Sequence, residues 1–334
     1  MKTVQQAVYL AILFSICVSA ITLTGKVYSN ETADESHDGL LSKQVPIMVL
    51  EIAWSPSGDY LAVGRNNGLW LYDKDGDEVT HRDGSQVSAI AWSPNSEFLA
   101  ASDNTRGQVL ILSIPDFEIL EDQVSAAGGE NEIPLNWNPN PELAVLASAA
   151  GKDILFWNTS SWDNFDAFQK AHADTISVLE WSPDGSKLAS GGFDYMIHIW
   201  DYPSGDQINS LKVGDYVKDI NWLEDSTTVV FPDVRGKFLF WNYLTNEITT
   251  VETGSFVVFD VELNNEIIAA STNDGVVWVQ NRELEMTPYL LDTQLRALSI
   301  DIAPDGRSIT YPGVNGAVLT TQVILMPTRS APEG

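Results

Sequence analysis

Three features of the chain predict an all-β fold: seven small four-stranded antiparallel sheets in a circle, a seven-bladed β-propeller, behind an N-terminal hydrophobic export segment. The stretch "WSPDGSKLAS", beginning at Trp181, recurs at intervals of about forty residues. Each copy alternates and then turns as a hairpin does. Beyond the N-terminal segment, no stretch keeps a helical period, which argues against an α/β enzyme fold.

The repeat is the strongest of the three. Close copies stand at Trp54 ("WSPSGDYLAV") and Trp92 ("WSPNSEFLAA"), and looser ones at Trp137, Trp222, Val261 and Ile302, giving intervals of 38, 45, 44, 41, 39 and 41 residues. That is the length of one four-stranded propeller blade. Seven units fill residues 45–326 and leave a short tail, 327–334. Within the unit at Trp181, "ISVLEW" alternates into Ser182, Pro183, Asp184 and Gly185, where proline fixes φ and glycine permits a tight turn. "SKLASG" returns to Gly191 and Gly192, "YMIHIW" is rich in β-branched and aromatic residues, and Gln207 to Lys212 supplies a fourth strand. A second anchor follows each first one by about twenty residues: Tyr72, Leu112, Trp157, Trp200, Trp241, Val279 and Thr321. The outer strand of the last blade is expected from Val323 to Met326 or from a segment near Val45, since an unpaired edge invites pairing with other chains.

The stretches "IWDYPSG", "FWNTSS" and "FWNYLTNE" at the second anchors resemble the Trp-Asp dipeptide of the WD40-repeat family, and "AH" at 171–172 stands where that family usually has Gly-His. The "WSPDG" turn also has some similarity to TolB-like propeller repeats. Only three copies keep tryptophan at the second anchor and only one keeps the histidine. The resemblance implies a non-catalytic protein-interaction scaffold. It also implies that His172, Ser190, Asp194 and Trp200 exchange hydrogen bonds within one blade. The same residues could be imagined as a hydrolase triad, with imidazole taking the serine proton. The structural reading is preferred, because a buried indole and imidazole must find partners and no "GxSxG" elbow occurs in the exported region. TolB-like envelope assembly, and a propeller enzyme or carbohydrate-binding lectin, are the alternative readings.

Other motifs carry less. Asp73, Asp75 and Asp77 in "DKDGDE" offer oxygens to calcium, but the glycine falls too early for an EF-hand and a polar hairpin turn explains the same letters. His37, His81, His172 and His198 lack ligand spacing, so no zinc site and no cofactor are expected. A partner-binding rim is sought in the turns between second and third strands, which collect on one face of a propeller; its candidates are Arg65, Asn66, Arg106, Asp153, Arg235, Asn273 and Asn315.

Charge and the N-terminus bound the setting. With 46 acidic against 18 basic residues, the net charge is −28, which repels nucleic acid and anionic membranes and leaves protein or peptide partners for what is read as a monomer. From Thr3 to Gly25 no residue is charged, and Ala7 to Leu23 is apolar between Lys2 and Lys26. Residues 1–23 therefore read as a signal peptide, cut after Ala20, or as a retained membrane anchor, the chain's one membrane contact. Either way the bulk of the chain is exported. Residues 24–44 read as a polar linker. Cys17, the single cysteine, lies in the apolar segment, so the exported part has no disulfide. Asn30 and Asn158 match glycan acceptor sequons.

Overall fold

The computed structural model describes residues 46–124, 133–233, 235–253, 257–282, 288–293 and 296–323, with the backbone of 25–28; side chains are described except at 25–28 and 121–124. The apolar segment, Asn30, His37, the tail and most of the linker lie outside them. The described strands form seven four-stranded antiparallel sheets. The one helical element among them is a 3-10 turn, Val314–Gly316.

Blade 4 shows how the repeat becomes a sheet. Its strands, Ile176–Trp181, Lys187–Gly192, Met196–Asp201 and Gln207–Lys212, pair in chain order from the innermost outwards. The "SPDG" turn closes because Gly185 adopts φ +69° and the Asp184 carboxylate accepts the Ser186 amide at 3.0 Å. Leu188 pairs with both Trp181 and Trp200, which places the two anchors on either side of one core residue.

The apolar core sits in the seams between blades. Each of seven buried clusters joins one blade to the next; Phe156 of blade 3, for instance, packs with Ile176, Leu179, Trp181 and Trp200 of blade 4. Polar staples cross the same seams. The innermost strand of each sheet has one edge without a strand partner, and its backbone groups need substitutes. Side chains of the preceding blade accept them: Asn136 from the Trp181 amide at 3.0 Å, Asp219 from Val261 at 3.0 Å, Asp260 from Ile300 at 2.7 Å and Asp301 from Trp54 at 2.6 Å. The first-anchor indoles reach back in the same sense. Trp92 donates to the Ala53 carbonyl at 3.0 Å, Trp181 to Asn136 at 3.1 Å and Trp222 to Glu180 at 3.0 Å. The repeated tryptophan is thus an inter-blade fastener as well as a core residue.

The structure departs from the sequence reading in three places. The last blade is closed by neither expected segment: its outer strand is Gly25–Tyr28, from the start of the stretch read as a linker, antiparallel to Val318–Gln322 with Gly25 opposite Thr321 and Tyr28 opposite Val318. Four residues suffice for that pairing and make too short a run to stand out beside the apolar segment. In blade 6 the first anchor is Leu263 rather than Val261, because Asn264 closes a shorter turn on Ile267 and shifts the register to Leu263 opposite Ile268. The partner of Ile268 on the third strand is accordingly Gln280, not Val279.

Candidate functional site

The inner strands enclose a channel of about 910 Å³. Its wall is chemically one-sided. Glu180 of blade 4, Asp219 of blade 5, Asp260 and Glu262 of blade 6 and Asp301 of blade 7 form an acidic crescent, while blades 2 and 3 present Ala89, Ala91, Pro134 and Leu135. Asp260 and Glu262 alternate on one inner strand and Glu180 and Asp301 lie on two others, so the pleat turns them into the channel; Asp219 sits in the segment leading into the blade 5 inner strand. Burial holds Glu180 well above the usual carboxylate range, with the Asp219 charge adding to it. Burial also raises Asp219 to about 6 and Asp301 to about 7, against the pull of the backbone amides bonded to each. Asp260 and Glu262 are pushed well up by burial and then by neighbouring carboxylates. Beyond burial, the Asp219 charge is the largest of the neighbouring contributions that raise Asp260.

The mouth of the channel carries the opposite sign. Phe193 and Tyr216 stack at 5.0 Å with planes 7° apart, and Phe193 is 45% exposed. Phe259 lies between two cations, Lys218 Nζ at 3.8 Å and the Arg296 guanidinium at 4.2 Å from its ring centre. Sequence reasoning missed Tyr216, Lys218, Phe259 and Arg296 because it took candidates only from the turns after second strands, and it passed over Phe193 in one of those turns because it sought polar residues there. Tyr216, Lys218 and Arg296 belong to the segments leading into inner strands, and the available signal was their place a few residues before the first anchors Trp222 and Ile302.

The expected rim residues are spread over six blades, and Arg65 is a correction. It is 3% exposed, lies over the Trp70 ring at 4.2 Å and donates to the Tyr72 hydroxyl at 2.9 Å, since the long side chain folds back along its own sheet. Asn66 ties down the chain before blade 1, accepting from Met48 N and donating to the Pro46 carbonyl, both at 3.0 Å. Arg106 is half exposed and bonded to Asp103 at 2.6 Å and Ser85 at 2.9 Å. Asp153 accepts from the Lys170 amide at 2.6 Å. Arg235, Asn273 and Asn315 are exposed turn residues, Asn315 with φ +55°. Asp73 caps its hairpin by accepting from the amides of Asp75 at 2.9 Å and Asp77 at 3.0 Å.

The structure does bring the blade 4 quartet together. His172 Nδ1 lies 3.0 Å from Asp194 Oδ1, its Nε2 lies 2.7 Å from Ser190 Oγ, and the Trp200 indole donates to the same Oγ at 2.8 Å. The Asp194 carboxylate can only accept, so Nδ1–H donates to it; Nε2 is then the bare nitrogen and accepts from the Ser190 hydroxyl, whose oxygen takes the indole proton. Burial lowers the His172 pKa, partly offset by Asp194. Burial would raise Asp194, but bonds from His172, Ala173 and Met196 prevail and hold it low. Ser190 is fully buried, with no path for a substrate to its Oγ. His198, set aside in the sequence as unrelated to the other histidines, packs against His172 at 4.5 Å between ring centres.

Known proteins match this architecture. Residues 135–225 fit the family model of the anaphase-promoting complex subunit 4 WD40 domain, and residues 78–105 that of the WD domain, G-beta repeat. The chain is 24% identical over 242 residues to WD repeat-containing protein slp1 of Schizosaccharomyces pombe, covering 70% of this chain and 48% of that protein. It is 26% identical over 220 residues to Protein FIZZY-RELATED 3 of Arabidopsis thaliana, covering 62% and 44%. It therefore spans less than half the length of these curated relatives. A chain from the crystal structure of a mitotic checkpoint complex superposes with a TM-score of 0.71 at 19% identity, over 89% of this chain and 98% of that one. The β-propeller domain of Cps50 (Swd1) from Myceliophteria thermophila gives 0.69 at 13% identity, over 83% and 96%. Repeat, ring and relatives agree: the chain is a seven-bladed β-propeller whose repeats match WD40 family models over residues 135–225 and 78–105.

Proposed function

We propose that this propeller is an exported, non-catalytic platform that receives a protein or peptide at the channel mouth. The observation that carries the reading is the group of Phe193, Tyr216, Lys218, Phe259 and Arg296. It combines partly exposed aromatic area with cations, on a turn, lead-in segments and one inner strand of a ring whose blades pack through seven seams. Aromatic and arginine side chains dominate the binding energy of most interfaces. Relatives named for the anaphase-promoting complex, and a similar chain solved within a checkpoint complex, support use as a docking module. Export is supported by the uncharged stretch from Thr3 to Gly25 and by the lack of any cysteine after Cys17.

The test is capture of partners from the producing cell by the full chain, with cross-links mapped to residues. Cross-links at Tyr216, Lys218 and Arg296 that vanish with Phe193→Ala and Arg296→Ala support the reading. Capture unaffected by both changes, or turnover of a small-molecule substrate, overturns it. Fractionation of the producing cell, with N-terminal sequencing of the protein recovered, tests export separately.

A further inference from the structure

Blade 4 holds a second imidazole that the hydrogen-bonded quartet does not use. His198 stands opposite Ser190 across the sheet, on the third strand, and its ring meets that of His172 at 63°. Its Nδ1 is buried and has no hydrogen-bond partner. A buried polar nitrogen left without a partner costs free energy, and native structures retain few of them. Desolvation, followed by the repulsion of His172, pushes the pKa of His198 down to about 4. The ring is therefore neutral at physiological pH, the form in which imidazole binds metal ions.

The surroundings of that nitrogen form a donor set. The ligating atoms of His172, Asp194 and His198 all lie within 4.8 Å of one another. His172 Nδ1 and Asp194 Oδ1 are 3.0 Å apart, close to the ~3.3 Å separating two ligands on a tetrahedral ion with bonds of about 2.0–2.1 Å. The three come from separate segments, the lead into the inner strand, the turn after the second strand and the third strand, so the blade itself assembles the set. Each of the first two is held from behind: Asp194 by the amides of Ala173 at 2.8 Å and Met196 at 3.1 Å, and His172 by Ser190. Such outer bonds orient metal ligands.

We propose that His172, Asp194 and His198 bind a divalent transition-metal ion of the zinc class, with a fourth position left to solvent or a partner's side chain. Two imidazoles and one carboxylate favour such ions over calcium or magnesium. The ion takes the place of the proton that His172 Nδ1 gives Asp194, and the His198 ring turns to bring its Nδ1 lone pair into the set. His172 adopts its other neutral tautomer, with Nε2–H on Ser190 Oγ, whose two lone pairs accept both that proton and the indole proton of Trp200. Each histidine enters and leaves the exchange as a neutral ring, so neither sheds a net proton. The blade then has a metal clasp in addition to its hydrogen-bonded one, independent of what docks at the channel mouth.

The experiment uses the full chain stripped by a chelator and titrated with Zn2+, then with Co2+ for its visible absorption. Expected are one saturating equivalent, Co2+ bands of a four-coordinate nitrogen and oxygen site, and a higher melting temperature with metal. His198→Ala abolishes all three and leaves the metal-free melting temperature within a few degrees, because the quartet does not include it. Ser190→Ala weakens binding by about 10–100-fold, as loss of an outer-shell support does. Absence of saturable uptake overturns the proposal. So does uptake unchanged in His198→Ala, which would assign the ion to the carboxylates of the channel.

Discussion

Blades 4 and 7 are built on one plan and fastened in different ways. Blade 4 takes its strands from a single continuous stretch, Ile176 to Lys212, and is tied by the quartet of Trp200, Ser190, His172 and Asp194. Blade 7 has an inner strand of two residues, Asp301–Ile302, and borrows its outer strand from Gly25–Tyr28. In place of the quartet it pairs hydroxyls, Thr310 with Thr320 at 2.9 Å and Tyr311 with Thr321 at 3.0 Å. The seams differ too. Blade 3 meets blade 4 through Phe156, Phe168, Trp181, Trp200 and Tyr202, whereas in the blade 7 to blade 1 cluster blade 7 contributes Val318. Polar staples fill in there: Asp301 and Ser299 accept from Trp54 and Ile52, and the Trp54 indole donates to Thr310 at 2.8 Å. The difference teaches that one blade plan admits two kinds of fastening, aromatic packing inside the repeat array and polar groups with a borrowed strand where its first and last members meet.

The largest expected effect breaks that join. A chain beginning at Val45 lacks Gly25–Tyr28 and exposes the edge of Val318–Gln322; it is expected to associate through that edge and aggregate, whereas one beginning at Ile21 is not. Size-exclusion chromatography and circular dichroism on the two report the outcome, and equal behaviour would show that the borrowed strand is dispensable.

Next comes the fastening of blade 4. His172→Ala leaves Ser190 and Asp194 without their partner and is expected to cost about 2–4 kcal/mol in urea unfolding, from unmade buried hydrogen bonds and lost packing. An equal loss from Thr310→Ala would mean that the two blades depend on their polar groups alike.

Acidity separates the two regions with opposite signs. The raised carboxyl groups of the channel, Asp301 at about 7 among them, bind protons more tightly folded than unfolded. Their contribution is fully present below about pH 4, the unfolded carboxylate value, and is lost as pH rises to about 7. The lowered His172 and His198 act the other way, losing stability as pH falls from about 6.5. Asp301→Asn keeps a carbonyl acceptor for Trp54 and removes the charge. It is expected to stabilise the protein by about 1–2 kcal/mol at pH 8 and by little at pH 5, so the difference in melting temperature between these pH values shrinks. An unchanged difference would remove Asp301 from the titrating set.

The smallest effect belongs to the exposed turns. Arg235→Ala is expected to fall within about 0.5 kcal/mol of the parent. Arg65→Ala, inside blade 1, should exceed it, and the reverse order would restore Arg65 to the rim.

The circle itself was legible in the sequence because its period rests on turn chemistry and alternation, which are local. Trp181, Pro183, Asp184 and Gly185 act on their neighbours, and the hairpin follows wherever they recur. The hydrogen bonds of His172 were legible through family resemblance. The borrowed strand was not, because its partner is nearly the whole chain away and nothing in "GKVY" names Val318. The acidic crescent was hidden for a related reason: Glu180, Asp219, Asp260, Glu262 and Asp301 read as ordinary polar members of alternating strands, and only the closed circle turns them towards one another. Arg65 looked like a rim cation because its turn lies on the rim face, while its side chain prefers Trp70 and Tyr72.

Because Gly25–Tyr28 lies against Val318–Gln322, the first strand to emerge during synthesis waits for the last. Until the ribosome has delivered Val318–Gln322, the nascent molecule is an open arc with two unsatisfied ends. Joining them then bears the entropic cost of closing a very long loop, a cost that grows only slowly with length. Any factor that escorts this polypeptide during its birth must therefore shield both ends together, and can release them only once Val318–Gln322 has emerged.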